Sequence, residues 1–388
     1  MMPLKNTIIL LTLTLHLSMN GQKVDCLIGD SLLNQQNYML AAEIYTSCYL
    51  SDTMNKKPMV SLANCYMQLG DYTLAKKYYH QLEVDSLYKI ESISKLAIIY
   101  ESQQNLPKAI KYYRAISMVY PENPIYLRKL GNLYLQGRET KQATESYQKA
   151  YQINPRDLLT IQALTEFYLN RDDLGKADSL ANNGIKIDSN NVGLLLLKSR
   201  IRYRARDYST TAEILHKLTY QTELNNFYNK LLGYSFIQID SIDKAIYHLQ
   251  KSLLDENDPE YALFYLALAH EKKKEFSKAE WFFQEAAKAG ISDNMSQYHR
   301  GLARIYTHQQ AHSKVIDHYQ KSLEYQADPE VYFFMGNAAE QISKRKNKAI
   351  QYYQQYLKSG HKNDEWRRIS TARIKVLKEN EFMNKTKK

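Results

Sequence analysis

The chain has 388 residues, of which 44% are hydrophobic and 24% are charged, and its formal net charge is +11 at pH 7. This composition excludes an intrinsically disordered protein, because it supplies enough apolar surface to bury a core. Few glycines (13) and prolines (8) argue against a loop-rich or β-rich fold, whereas 33 tyrosines favour many half-buried faces. The basic charge alone does not choose among nucleic acid, anionic lipid and acidic proteins as partners.

The first 21 residues have the three-part layout of a secretory signal peptide. One positive charge, Lys5, precedes a mostly aliphatic run from Ile8 to Leu17, and Ser18, Met19, Asn20 and Gly21 follow. The run is too short for a permanent transmembrane helix, and it lacks the polar stripe of a helix that packs on one face. The sequence therefore predicts that residues 1–21 are a signal peptide and that the mature chain is exported to a bacterial periplasm or cell envelope.

From residue 22 onward, a small residue recurs on a 34-residue grid, with a two-residue slip before the ninth copy. The grid positions are Ala41, Ala75, Ala109, Ala143, Ala177, Thr211, Ala245, Ala279, Val315 and Ala349. A bulky residue follows four positions later in most copies: Tyr45, Tyr79, Tyr113, Tyr147, Leu215, Leu249, Phe283, Tyr319 and Tyr353. Another small residue often stands twelve positions earlier: Gly29, Ala63, Ala97, Gly131, Gly233, Ala267 and Ala303.

These spacings predict two antiparallel helices in each copy. Residues three or four apart share one face of a helix, and the small residues let the two helices approach closely while the bulky ones fill the space beside them. Turn-forming segments such as Leu69-Gly70-Asp71 separate the helices of a pair. Prolines such as Pro121 and Pro155 fall between copies, where they end one helix or begin the next.

This pattern resembles the tetratricopeptide repeat, a 34-residue helix–turn–helix unit, over residues 22–363. The copy from Leu127 to Pro155 matches best, although the tryptophan usual near the start of the first helix is absent from all copies. The resemblance implies an all-α, right-handed superhelical solenoid of about ten antiparallel helix pairs. A further helix over residues 364–383, with a charged outer face, is expected to cap the array, and residues 384–388 are expected to be a frayed basic tail.

Motifs for catalysis are absent. The sequence contains no GxSxG elbow, no phosphate-binding glycine loop and no HExxH, so no catalytic residue and no cofactor is predicted. His308 and His312 are four apart, but they fall across a predicted helix end without a carboxylate to complete a metal site. Cys26 and Cys48 are expected on facing helices of the first copy, where they are compatible with a disulfide bond in an oxidising compartment or, as the default, with buried thiols.

The resemblance also implies a groove lined by the first helix of each pair, in which partners bind as extended peptides or helices. With the grid residue at position 20 of each copy, positions 2, 5, 9, 12 and 13 are expected to face that groove. The candidate partner-binding residues are Arg128, Asn132, Arg200, Tyr203, Arg204, Phe227, Lys230, Tyr234, Tyr261, Phe264, Arg300 and Arg304. Arginines beside exposed aromatics suit carboxylates, phosphates or sugar rings. The clamp that some family members use for a C-terminal carboxylate is incomplete, since only Arg128 and Asn132 match it.

We therefore interpret the chain as a non-catalytic protein–protein interaction scaffold or adaptor of the cell envelope, whose partner is a protein or peptide, acidic ones included. One alternative is a glycan-binding or cell-wall-binding protein that uses the aromatic groove. Another is a cytosolic regulatory or nucleic-acid-associated protein. Nucleic acid is not expected as a partner, because no DNA-reading module is recognisable and the basic residues are interleaved with acidic ones.

Overall fold

Helices account for most of the chain in the computed structural model, which describes residues 25–253, 259–290 and 294–386. Twenty helices of this described part form ten antiparallel pairs, and one longer helix follows them. The first helix of each pair is called the A helix and the second the B helix. The all-α fold of repeated helix pairs is thus confirmed. The predicted signal peptide, residues 1–21, lies outside the described residues.

The chain divides into two compact units. Unit 1 is Met1–Ser189 and unit 2 is Asn190–Lys388. The helix pairs of unit 1 are α1 Cys26–Asn34 and α2 Tyr38–Ser51, α3 Lys57–Gln68 and α4 Tyr72–Leu82, α5 Lys89–Ser102 and α6 Leu106–Val119, α7 Pro124–Gln136 and α8 Thr140–Ile153, and α9 Leu158–Asn170 and α10 Leu174–Ile187. Its core is formed by side chains that successive pairs contribute between them.

Unit 2 contains five further pairs and the C-terminal helix. These are α11 Val192–Arg204 and α12 Tyr208–Leu218, α13 Asn226–Gln238 and α14 Ile242–Ser252, α15 Glu260–Lys272 and α16 Phe276–Ala289, α17 Met295–His308 and α18 His312–Tyr325, α19 Glu330–Glu340 and α20 Lys346–Lys358, and α21 Asp364–Thr386. A short 3-10 helix, Ser343–Arg345, lies between α19 and α20. None of the described helices is both long and apolar enough to span a membrane.

The grid residues are buried, and none is more than 2% exposed. The bulky residue of the B helix packs against the small residue of the A helix. A Cβ atom added at Gly131 would lie 2.5 Å from Cε1 of Tyr147, and one added at Gly233 would lie 2.5 Å from Cγ of Leu249. The small residue in the sequence pattern is therefore explained by the lack of space for a larger side chain where the A and B helices meet.

Aspartate and asparagine side chains start many of the helices. Asp71, Asn105, Asp173 and Asp207 each precede a B helix and accept a hydrogen bond from its third backbone N–H, at 3.0–3.3 Å. These bonds satisfy donors that the first helical turn leaves unpaired. They fix where these four B helices begin, and with it the register of their pairs.

Two expectations about the ends of the array need correction. Cys26 in α1 and Cys48 in α2 form a disulfide bond with their Cα atoms 6.0 Å apart, so the default of buried thiols for this pair is wrong. Cys65 is a separate, buried free cysteine. At the other end, α21 continues to Thr386, three residues beyond the predicted boundary at 383. The first residues expected in a frayed tail are therefore helical.

Candidate binding face on the A helices

Three depressions open on the same repeat positions of successive A helices. In unit 1, one of about 350 Å³ is lined by residues that include Ile98 and Ile125, and one of about 490 Å³ by residues that include Leu159. In unit 2, one of about 560 Å³ is lined by residues that include Tyr261 and Arg304. All five residues occupy position 2 or 9 of their copies. We call the surface formed by positions 2, 5, 9, 12 and 13 the A-helix face.

Aromatic side chains dominate the depression in unit 2. Tyr234 of α13 lies 4.5 Å from Tyr265 of α15, measured between ring centroids, and Phe264 lies 5.0 Å from Tyr298 of α17. The Tyr261 hydroxyl accepts a hydrogen bond from Asn294 Nδ2 at 2.9 Å. The structure therefore brings the predicted residues Tyr234, Tyr261 and Phe264 together, on a wall whose rings are partly used for packing between repeats.

The two predicted arginines of this depression are held by internal carboxylates. Arg304 donates from Nε and Nη2 to the two oxygens of Glu271, both at 2.8 Å. Arg300 forms an ion pair with Asp328 and lies 3.9 Å from Glu330. Bidentate arginine–carboxylate pairs are strong and geometrically fixed. A carboxylate of a partner must therefore share these arginines with acids that already bind them.

The predicted pair in unit 1 has a similar structural use. Nε of Arg128 lies 3.6 Å from Asp157, which caps α9. Oδ1 of Asn132 accepts a 2.6 Å hydrogen bond from the Tyr147 hydroxyl. Both side chains line the 490 Å³ depression. They therefore belong to the A-helix face and also take part in contacts between neighbouring helices.

The other predicted residues lie on α11 and α13. Tyr203 is half-buried and packs edge-on against Tyr234, with ring centroids 5.8 Å apart. On α11, Arg204 is exposed and Arg200 is partly exposed. On α13, Phe227 is 47% exposed and Lys230 is partly exposed. Of these residues, Tyr203 is thus tied to the aromatic wall through its contact with Tyr234.

Family models decide the identity of the repeat. Two models, both described as tetratricopeptide repeat, match residues 94–157 and 57–82. The first match covers most of α5 and all of α6–α8, and the second covers α3 and α4, so both follow the helix pairs. The chain is a tetratricopeptide repeat protein. Repeats of this kind form extended protein-binding surfaces, which makes the chain a protein-interaction scaffold.

Similar solved structures belong to several tetratricopeptide proteins, while comparison with curated proteins finds no match. A tetratricopeptide repeat protein from Parabacteroides merdae is 14% identical, with a TM-score of 0.46 over 64% of this chain and 97% of that one. YrrB, described as a TPR protein with an unusual peptide-binding site, is 14% identical, with a TM-score of 0.42 over 48% and 94%. The Cut9–Hcn1 hetero-tetramer of the APC/C contains a chain that is 14% identical, with a TM-score of 0.44 over 90% and 95%.

The sequence prediction missed the aliphatic part of the A-helix face in this tetratricopeptide protein. Ile98, Ile125, Leu135 and Leu159 are 38–54% exposed on α5, α7 and α9, at positions 9, 2, 12 and 2. They were missed because the candidate set favoured arginine and aromatic side chains. Their signal was available, since these aliphatic residues stand at positions 2, 9 and 12, which the sequence predicted to face the groove.

His308 ends α17 and His312 begins α18, as the sequence indicated. The ring of His308 stacks on Phe276, with centroids 4.5 Å apart. Among the described residues, no group of three or more His, Cys, Asp or Glu side chains is placed to hold a metal ion.

Proposed function

We propose that this protein is a non-catalytic scaffold of the bacterial cell envelope that binds an extended segment of a partner protein along its A-helix face. One observation carries the proposal: depressions in unit 1 and in unit 2 are lined from the same repeat positions. A segment that lies across successive A helices meets equivalent positions in each copy, which is how a solenoid provides a long binding surface from short units.

The A-helix faces of the two units, each taken by itself, favour different kinds of segment. In unit 1, exposed Ile98, Ile125 and Leu159 suit aliphatic side chains, and the ion pair of Lys129 with Glu101 at 2.8 Å lies beside them. In unit 2, the aromatic wall suits a segment that carries aromatic residues. An acidic residue of the segment would have to share Arg304 with Glu271. Buried apolar contacts supply affinity at such interfaces, while charged groups mainly set specificity and register.

Export of the chain is supported by two independent features. Residues 1–21 have the layout of a signal peptide. The disulfide between Cys26 and Cys48 is of a kind that persists in oxidising compartments and is rare in the cytosol of mesophiles. The envelope is accordingly where we expect the partner to be found.

Affinity capture from fractionated native cells tests the proposal, with the oxidised chain from Gln22 as bait. Ile125→Asp and Leu159→Asp place a charge on the A-helix face, where the native side chains are 48% and 54% exposed. We expect both variants to lose capture of an envelope protein while their thermal unfolding stays unchanged. Met118→Asp is the matched control, because Met118 is 73% exposed on a B helix.

The alternatives give different outcomes in the same experiment. Capture that survives both A-helix-face substitutions rejects this face as the binding site. If the protein remains cytosolic with residues 1–21 intact, the export argument is wrong and a cytosolic regulatory role takes its place. Retention of soluble cell-wall fragments, with loss of retention in Tyr261→Ala, favours the glycan-binding alternative on the aromatic wall.

A further inference from the structure

A fourth depression lies in unit 2 outside the A-helix face, and we call it the loop pocket. Its volume is about 500 Å³, within the range of ~300–1,000 Å³ usual for small-molecule sites. Its walls come from α12, from the loop 219–225, from the first turns of α13 and from α14. The α13 residues that line it, Asn226 and Asn229, stand at positions 1 and 4 of their copy, not at the positions of the A-helix face.

The loop pocket lies where one turn of helix is replaced by loop. Helix α12 ends at Leu218 after 11 residues, whereas the equivalent α8 runs for 14 residues. Residues 219–225 then connect α12 to α13, whereas residues 154–157 suffice between α8 and α9. Residues of this longer connection, including Thr219, Tyr220 and Thr222, line the pocket together with residues of α12 and α14.

The inner wall of the pocket has a fixed hydrogen-bonding pattern. Nδ2 of Asn229 donates to the backbone carbonyl oxygens of Leu224 and Asn225, at 2.7 and 3.2 Å. Oδ1 of Asn229 must therefore be the atom 3.0 Å from Nδ1 of His248, and because it can only accept, that nitrogen carries the proton. Burial lowers the pKa of His248 to about 4, so its ring is neutral near pH 7 and its Nε2 is an acceptor.

The mouth of the pocket has exposed aromatic rings. Tyr220 is 80% exposed and Tyr247 is 55% exposed. Of the lining residues other than histidine, Lys251 and Glu223 carry opposite charges, which gives neither an anion nor a cation a net advantage. Nζ of Lys251 lies 5.0 Å from the centre of the Tyr247 ring. The remaining polar walls are hydroxyl and amide groups of Thr219, Thr222 and Asn226.

We propose that the loop pocket binds a neutral sugar residue of a glycan. A pyranose combines an apolar C–H face, which suits an exposed tyrosine ring, with several hydroxyls that both donate and accept hydrogen bonds. The pocket offers aromatic rings at its mouth, neutral polar groups in its walls and balanced charge. The inference goes beyond the proposed scaffold function, because the loop pocket is separate from the A-helix face.

Saturation-transfer NMR on the full mature chain near neutral pH tests the proposal. The probes are N,N′-diacetylchitobiose, cellobiose and maltose, with inorganic phosphate and spermidine in competition as charged ligands. We expect at least one disaccharide to bind and Tyr220→Ala or Tyr247→Ala to weaken it by about tenfold, as expected for loss of a stacked aromatic ring at a small site. Tyr325→Ala, at a 53% exposed position outside the pocket, is the matched control and should leave binding unchanged.

Several outcomes would overturn the assignment. Absence of binding by all three disaccharides, displacement of a bound sugar by phosphate or spermidine, or equal binding by the two pocket variants and the control each reject a neutral-sugar site. Circular dichroism confirms that the tyrosine variants remain folded. Capture of a protein partner by the A-helix face is measured separately, so failure of one proposal leaves the other standing.

Discussion

Gly131 lies so close to Tyr147 that a single added carbon has no room. A Cβ atom there would be 2.5 Å from the ring, which is only 2% exposed and is held by the hydrogen bond of its hydroxyl to Asn132. Gly131→Ala should destabilise the protein by about 1–3 kcal/mol through overpacking, although alanine is favoured over glycine in a helix by about 1 kcal/mol. Urea denaturation followed by circular dichroism measures the free energy of unfolding.

Gly175 provides the matched control for this prediction. It is an exposed residue of α10, and the nearest atom to an added Cβ would be Asp173 Oδ1 at 3.9 Å. Gly175→Ala should therefore raise the free energy of unfolding, by up to about 1 kcal/mol, through helix propensity alone. Equal changes in the two variants would show that steric contact with Tyr147 does not explain the small residue at Gly131.

The protonation of His248 gives a prediction about pH. Burial, assisted by the nearby His216 and Lys251, lowers the pKa of His248 to about 4 from an ordinary 6.5. The unfolded chain then binds more protons than the folded chain between these values, so this residue's contribution to stability falls as the pH drops from about 6.5 towards 4. NMR titration of the imidazole should give a midpoint near 4, and His248→Gln should lose less stability between pH 7 and 5 than the native chain. A midpoint above 6 would contradict the buried neutral ring.

Some features at the residue scale could be predicted and others could not. The buried grid residues were predictable because their identity and spacing recur. The A–B turns could not be predicted in detail, since Gln104, Arg138 and Lys274 adopt positive φ values of 54–61° without being glycine. Each occupies the left-handed region because the turn into the next helix requires it, and such side chains carry no sequence signal for that conformation.

Helix α21 packs against the core of unit 2. The stability that this helix contributes can be tested by removing its contacts. The Trp366 ring stacks on Phe333 with centroids 5.0 Å apart, and Arg373 donates to both oxygens of Glu340, whose side chain is only 8% exposed. Trp366→Ala should cost about 3–5 kcal/mol, in the range found for deleting large core side chains. Thermal unfolding and hydrogen exchange in α19 and α20 measure the effect.

A second variant in α21 distinguishes loss of the capping contact of Trp366 from a general effect of shortening a side chain in this helix. Val376 in the same helix is 38% exposed, and Val376→Ala should change the stability of α19 and α20 very little. If truncation after Asn363 left unit 2 as stable and as soluble as the native chain, α21 would have no capping role. The helix itself was predictable from its spacing, but its three extra residues were not, because helix ends depend on local competition between turn and coil.

At the scale of the whole molecule, the repeat register could be predicted from the sequence because each helix pair repeats the same local contacts. The binding partners of the side chains on the A-helix face were harder to predict. Arg300 and Arg304 looked available to a partner, yet their internal acids Asp328 and Glu271 come from elements 28 and 33 residues away in sequence. Only the three-dimensional arrangement of neighbouring repeats reveals such pairs, so repeat position predicts where a side chain lies better than it predicts what that side chain binds.

Export of the chain can be tested on protein from its native cells. If residues 1–21 are removed and the chain folds in an oxidising compartment, intact mass spectrometry should show a chain that starts at Gln22. Alkylation under denaturing conditions should then modify one thiol, Cys65, because Cys26 and Cys48 are joined. Closure of a loop of this size is expected to stabilise the first helix pair by about 3 kcal/mol, so reduction should speed hydrogen exchange in α1 and α2. Three modified thiols on a chain that still begins at Met1 would place the protein in the cytosol and reject the envelope scaffold.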